Sequence, residues 1–187
     1  MRSLSLIVPA ALLAACGGDD PVSYSAPVGI NLKAKSADTV DGVVSDSKGI
    51  TTESGNPYGA FVADAEERLG AAPARVSIES VEILLGAEST GVVSLGEIFD
   101  GEVAVLFQMT DSDNSFAAAA TAMDAETSAG PVDMASSFDS DDLADEDYDK
   151  LLGGSFEVVV RGPAAAEFVD KGADADLQIT FTFGAYE

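Results

Sequence analysis

The chain is predicted to be mainly β: an antiparallel β-sandwich with two or three short inserted helices. Five stretches alternate apolar and polar residues with a period of two, which marks strands with one buried face. Such half-buried strands belong to antiparallel sheets, because parallel sheets are covered on both faces. Segments with helical spacing and glycine stops lie between them. The alternative is an α+β fold with helices packed on one face of an antiparallel sheet.

Taken in order, residues 28–35 put Val28, Ile30, Leu32 and Ala34 on one face and Asn31, Lys33 and Lys35 on the other. Asn56-Pro57 starts a helix, an Asn cap followed by Pro at the first helical position. Tyr58, Phe61, Val62, Ala65 and Leu69 then form its apolar stripe, and Gly70 stops it. Residues 76–85 alternate from Val76 and Ile78, then restart at Val81, which predicts a bulge or register slip near Ser80-Val81. Residues 102–109 place Val103, Val105, Phe107 and Met109 together. Residues 141–152 form a second helix with acids in its first turn, closed by Gly153-Gly154; Asp141 and Asp142 act as its cap and first-turn charges. Residues 155–161 are a strand, 163–170 a further helical turn, and 176–183 a last strand with Leu177, Ile179, Phe181 and Phe183 inward. Residues 116–138, rich in Ala, fit either two weak strands flanking a loop or a short helix. No repeat and no second domain are evident.

With 187 residues, one domain is expected. The chain has 33 Asp plus Glu against 9 Lys plus Arg, and no His, no Trp and one Cys. The acidic excess argues against nucleic acid, whose phosphates it repels, and against polybasic attachment to anionic lipid. The absence of His removes imidazole bases, histidine-based triads and imidazole zinc ligands. A single Cys excludes an intrachain disulfide framework and a thiolate zinc cluster. At 47% hydrophobic and 22% charged the chain is globular.

The N-terminus carries Arg2 and then an apolar run from Leu4 to Ala15, short of the roughly 20 residues a spanning helix needs and right for a signal-peptide core. The stretch Leu13-Ala14-Ala15-Cys16 resembles the lipobox that signal peptidase II reads in bacterial lipoproteins. That resemblance covers only the export signal. It implies cleavage after Ala15, acylation of Cys16, and anchorage to the membrane through its acyl chains, up to three of them. Each buried acyl methylene contributes about 0.8 kcal/mol. Gly17 and Gly18 follow where an Asp would favour inner-membrane retention, so the resemblance implies the outer membrane, with the face left open. The expected organisation is a signal peptide at 1–15, a lipidated Cys16 with a flexible tether to residue 25, and a single domain at 26–187. Without Arg2 the mature chain has a formal charge of −25.

Twelve acids and no Lys or Arg lie between Asp111 and Asp149. Asp111, Asp113 and Ser115 stand at the first, third and fifth positions of an EF-hand-like loop. Phe116 then replaces the needed Gly, and Ala122 the bidentate Glu, so an EF-hand is rejected. A looser loop-borne Ca²⁺ site from Asp111, Asp113, Ser115, Asp139 and Asp141 is one reading. The other is that these acids hydrate the surface and cap local helices.

No GxSxG, P-loop or GxGxxG signature is present. Paired carboxylates suit glycoside hydrolysis, but there is no Trp and the four Tyr are scattered. Lys33, Lys35 and Lys48 are the nearest thing to a basic group, expected to pair with nearby acids. The last strand is either an open edge that accepts a partner strand or one paired inside the sheet. The expected function is therefore a lipid-anchored, non-enzymatic envelope lipoprotein with a structural or interaction role, partnered by the membrane and by an envelope protein or surface ligand. The alternative is a Ca²⁺-dependent binding or adhesion module using the acidic loops. No other cofactor is expected.

Overall fold

Alternation in the chain becomes a single antiparallel sheet. The computed structural model describes residues 23–123 and 125–187; the apolar run, Cys16 and residues 17–22 lie outside them. The strands are β1 (Ser23–Lys35), β2 (Val43–Ile50), β3 (Arg75–Leu85), β4 (Glu102–Met109), β5 (Ser115–Ala122), β6 (Val132–Ser136), β7 (Phe156–Pro163) and β8 (Asp174–Tyr186). Three short helices interrupt them: α1 (Pro57–Leu69), α2 (Asp145–Gly153) and α3 (Ala166–Asp170). The fold is mainly β with short helices, as the periodicity predicts.

The strand order is β1-β8-β3-β6-β5-β4-β7-β2, with every pairing antiparallel. The sheet curls until its two halves face each other. β6 is the hinge between them: it pairs with β3 at Val81–Ile83 and with β5 at Ala119 and Ala120. The inner faces meet where Phe107 of β4 lies 5.6 Å from Phe181 and 6.2 Å from Phe183 of β8, ring centre to ring centre. Such offset aromatic contacts add to the area that the rings bury. Helix α1 closes one end of this core. Its Tyr58 ring sits 5.2 Å from Phe156 and 5.4 Å from Phe183, and Phe61 5.3 Å from Phe183. The Tyr58 hydroxyl donates to the Leu151 carbonyl at 3.1 Å, which joins α1 to α2.

Several boundaries differ from the sequence reading. β1 starts at Ser23 and pairs from Ser23↔Tyr186 onward, so the residues up to 25 are not all tether. The bulge in β3 falls between Ile78 and Ser80, close to where alternation breaks. β2 has no clear alternation; only Val44 and Ile50 are buried, and Ser45, Ser47, Lys48 and Gly49 are exposed. The Ala-rich segment resolves as strands: β5 is held by β4 through a bulge at Val105/Leu106, so pairing overrides the helix propensity of Ala. The second helix begins at Asp145 rather than 141, preceded by a single 3₁₀ turn at Ser140–Asp142. Asp141 and Asp142 sit in that turn, and Asp139 caps it by accepting from the Asp141 N–H at 3.0 Å. β8 lies between β1 and β3, so the last strand is internal and not an open edge.

Candidate functional site

Because neighbouring strands alternate in direction, the register decides which loops share an end. The start of β1, the end of β8 and the start of β3 lie together, since both Ser23 and Arg75 pair with Tyr186. The same end carries the β4–β5 turn, as Thr110 N–H donates to Ser155 O beside the start of β7. It also carries residues 137–142, which approach β3 at Ser77 and Ile78. All five residues expected to ligate calcium are therefore at the Ser23 end.

They divide there into two groups with different environments. Asp111 and Asp113 line an open cavity of about 490 Å³ with Gln108, Thr110, Ser112 and Glu157. Asp111 adopts φ 58°, the left-handed turn conformation that Asp tolerates better than most residues. Ser115, the first residue of β5, is exposed. The turn is tied elsewhere: Asn114 Nδ2 donates to the buried Asp147 carboxylate of α2 at 2.8 Å.

Asp139 is committed to a cation already in the chain. Arg75 Nε donates to both of its oxygens, at 2.9 and 3.0 Å, and Arg75 Nη2 also donates to Oδ2. Asp141 Oδ2 lies 3.5 Å from Arg75 Nε. The guanidinium also stacks over the Tyr186 ring, 5.0 Å from its centre. Hydrogen bonding to Arg75 holds the Asp139 carboxyl below the usual carboxylate range, and the same bonds push the guanidinium up. Among the described residues no group of three or more Asp, Glu, Cys or His is placed to hold a metal ion. Asp139 and Asp141 share the Arg75 guanidinium, and the Asp139 side chain also caps the 3₁₀ turn, an arrangement that acid spacing alone does not reveal.

The other perturbed groups also have structural partners. Burial pushes the Tyr58 hydroxyl up while it bonds Leu151 O, and pushes Tyr148 up to about 12 while it donates to Pro73 O at 2.6 Å. Glu126 is held down by the Ser128 side chain and amide.

At the opposite edges of the sheet, β1 and β2 lie side by side without a backbone ladder. A cavity of about 250 Å³ opens between Val28–Asn31 and Lys48–Ile50, bounded by Asn56 and Pro57. Lys33 pairs with Glu88 at 3.2 Å, while Lys35 and Lys48 have no ion pair among the described residues. The expectation that these lysines pair with acids thus holds for Lys33 among the described residues, and their spacing did not point to this edge. The seam itself is a tertiary feature. No known protein family and no curated protein matches the chain.

Proposed function

We propose that the chain is a lipid-anchored, non-enzymatic protein of the bacterial cell envelope, probed through its folded body by a partner at the membrane surface. The observation that carries this reading is the lipobox-like stretch Leu13-Ala14-Ala15-Cys16 behind the apolar run, with six residues between Cys16 and Ser23, where β1 begins. The six residues 17–22 span at most about 20 Å. An acylated Cys16 would thus hold the Ser23 end near the lipid and leave the opposite end outward. The acidic loops at the Ser23 end favour standing off from anionic headgroups, within a Debye length of about 8–10 Å.

The outward end supports an interaction role. Val40, Val93 and Val169, the exposed large apolar residues among those described, all lie in connections at that end. The non-enzymatic reading rests on the absence of His and on perturbed groups that are all engaged in structural bonds.

Replacing Cys16 with Ser tests the anchor. The variant is expected to leave the membrane pellet and appear in the soluble envelope fraction. Retention in the pellet overturns the anchor. A rise in Tm in millimolar Ca²⁺ against a Mg²⁺ control would replace this reading with the calcium-dependent one.

A further inference from the structure

Three connections lie side by side across the end of the sheet opposite Ser23, and the strand order puts them there. Residues 164–173 join β7 to β8 and carry α3. β8 lies between β1 and β3, and β7 lies between β2 and β4. The β1–β2 connection therefore runs along one flank of α3, and the β3–β4 connection along the other. Both flanks are tied down. On the first, the Ser36 N–H donates to Ala173 O at 2.9 Å and the Ala164 N–H to Gly42 O at 2.8 Å. On the second, the Ala165 N–H donates to Ile98 O at 2.9 Å, and a Cβ added to Gly91 would lie 3.0 Å from that of Ala173.

The core beneath is already sealed, by the buried Val92, Leu95, Ile98 and Phe168 of these same connections. Val40, Val93 and Val169 lie on the solvent side, one from each connection, with 68%, 76% and 48% of their surface exposed. Single exposed apolar side chains are ordinary on a protein surface, and a cluster of them is not. These three gather around α3. Val40 stands two residues before Gly42, which is bonded to Ala164 at the start of the α3 connection. The Val93 N–H donates to Glu97 Oε2 at 3.0 Å, and the same oxygen accepts from Lys171 Nζ at 3.4 Å, two residues beyond Val169.

Charge selects the occupant. Around the valines the three connections carry Asp38, Asp41, Glu97, Asp100, Glu167 and Asp170, with Lys171 as the one cation. Lys171 is held by Glu97 at 3.4 Å and Glu167 at 3.7 Å. Asp38, Asp41 and Asp170 are exposed and have no ion pair among the described residues. A second copy would set acids against acids, and anionic lipid would be repelled in the same way. An apolar centre inside an anionic rim is complementary to apolar side chains flanked by cations. We propose that this surface docks a segment of a partner protein in which apolar and cationic residues stand together. The apolar ones cover Val40, Val93 and Val169, and the cations meet Asp38, Asp41 and Asp170.

Such docking deepens the interaction part of the reading above and needs no anchor, so it stands or falls separately from the Cys16 fractionation. The test uses the full chain, ¹⁵N-labelled, in non-ionic detergent micelles, with a synthetic eight-residue peptide of alternating lysine and valine. The peptide should shift the amides of Val40, Val93, Val169 and Asp170. A lysine–serine peptide and a glutamate–valine peptide of the same length should each bind at least tenfold more weakly. Val40→Ser combined with Val93→Ser should weaken the lysine–valine peptide at least tenfold with an unchanged Tm, and Asp170→Asn should weaken it several-fold. Asp113→Asn, at the Ser23 end, should leave its binding unchanged. Equal binding of the lysine–valine and lysine–serine peptides overturns the proposal, because charge alone would then account for the attraction. So do shifts centred on Asp111, Asp113 and Asp141, the absence of shifts at millimolar peptide, or wild-type affinity in the double serine variant.

Discussion

Arg75 and Asp139 form a two-point ion pair that fastens the first residue of β3 to the turn after β6. Arg75 also lies over Tyr186, whose hydroxyl donates to Glu79 Oε1 at 3.2 Å. One guanidinium thus links the start of β3, the end of β8 and the acidic turn. Pairs with both partners partly exposed contribute modestly, but a two-point Arg–carboxylate geometry lies at the upper end of that range.

Asp139→Asn should therefore destabilise the fold by about 1 kcal/mol at neutral pH, read by urea melts, and more than Asp142→Asn. The folded Asp139 carboxyl sits below its ordinary value of about 3.9. A depressed carboxylate contributes stability that is present above the unfolded pKa and lost as pH falls through the folded one. The gap between wild type and Asp139→Asn should hold from pH 7 to about 5, then shrink from about pH 4 downward. A gap independent of pH would show that Asp139 acts as a cap alone.

Tyr58 carries both a packed ring and a buried hydrogen bond. Tyr58→Phe keeps the ring contacts and removes one of the two donors to the Leu151 carbonyl, the Gly154 N–H at 3.1 Å being the other, for an expected loss of about 0.5–1.5 kcal/mol. Tyr58→Ala also removes the contacts with Phe61, Phe156 and Phe183, and should cost about 3–5 kcal/mol. Equal losses for the two variants would mean that the ring adds nothing.

Phe181 is fully buried and packs on Phe107 across the two halves of the sheet. Phe181→Asp places an unpaired charge there and should abolish the cooperative melt. Phe181→Leu, which keeps the site apolar, should still fold with a lowered Tm. A Phe181→Asp variant with the wild-type melting curve would contradict the inward placement of this face.

The strands with strong alternation were legible because burial on one face imposes a period of two. Leu177, Ile179, Phe181 and Phe183 are all buried, as their spacing predicts, and α1 runs between its Asn cap and Gly stop. β2 was not legible. Only Val44 and Ile50 are buried, whereas Ser45, Ser47, Lys48 and Gly49 are exposed, so the segment carries no run of apolar alternation. The Ala-rich β5 was ambiguous because Ala favours helix locally, whereas its place beside β4 is set by partners distant in sequence.

The sequence by itself determined the β class, the inward faces of the strong strands, the bounds of α1 and the exclusion of histidine chemistry. Each of these depends on residue type or local periodicity. The tertiary structure decided that acids spaced like ligands are split between an open turn and an Arg75 ion pair, because Asp139 meets a residue 64 positions away. It also decided that the last strand is central and that the open junction falls between β1 and β2. Strand order is a property of non-local pairing, and alternation along one strand does not specify which neighbour it will have.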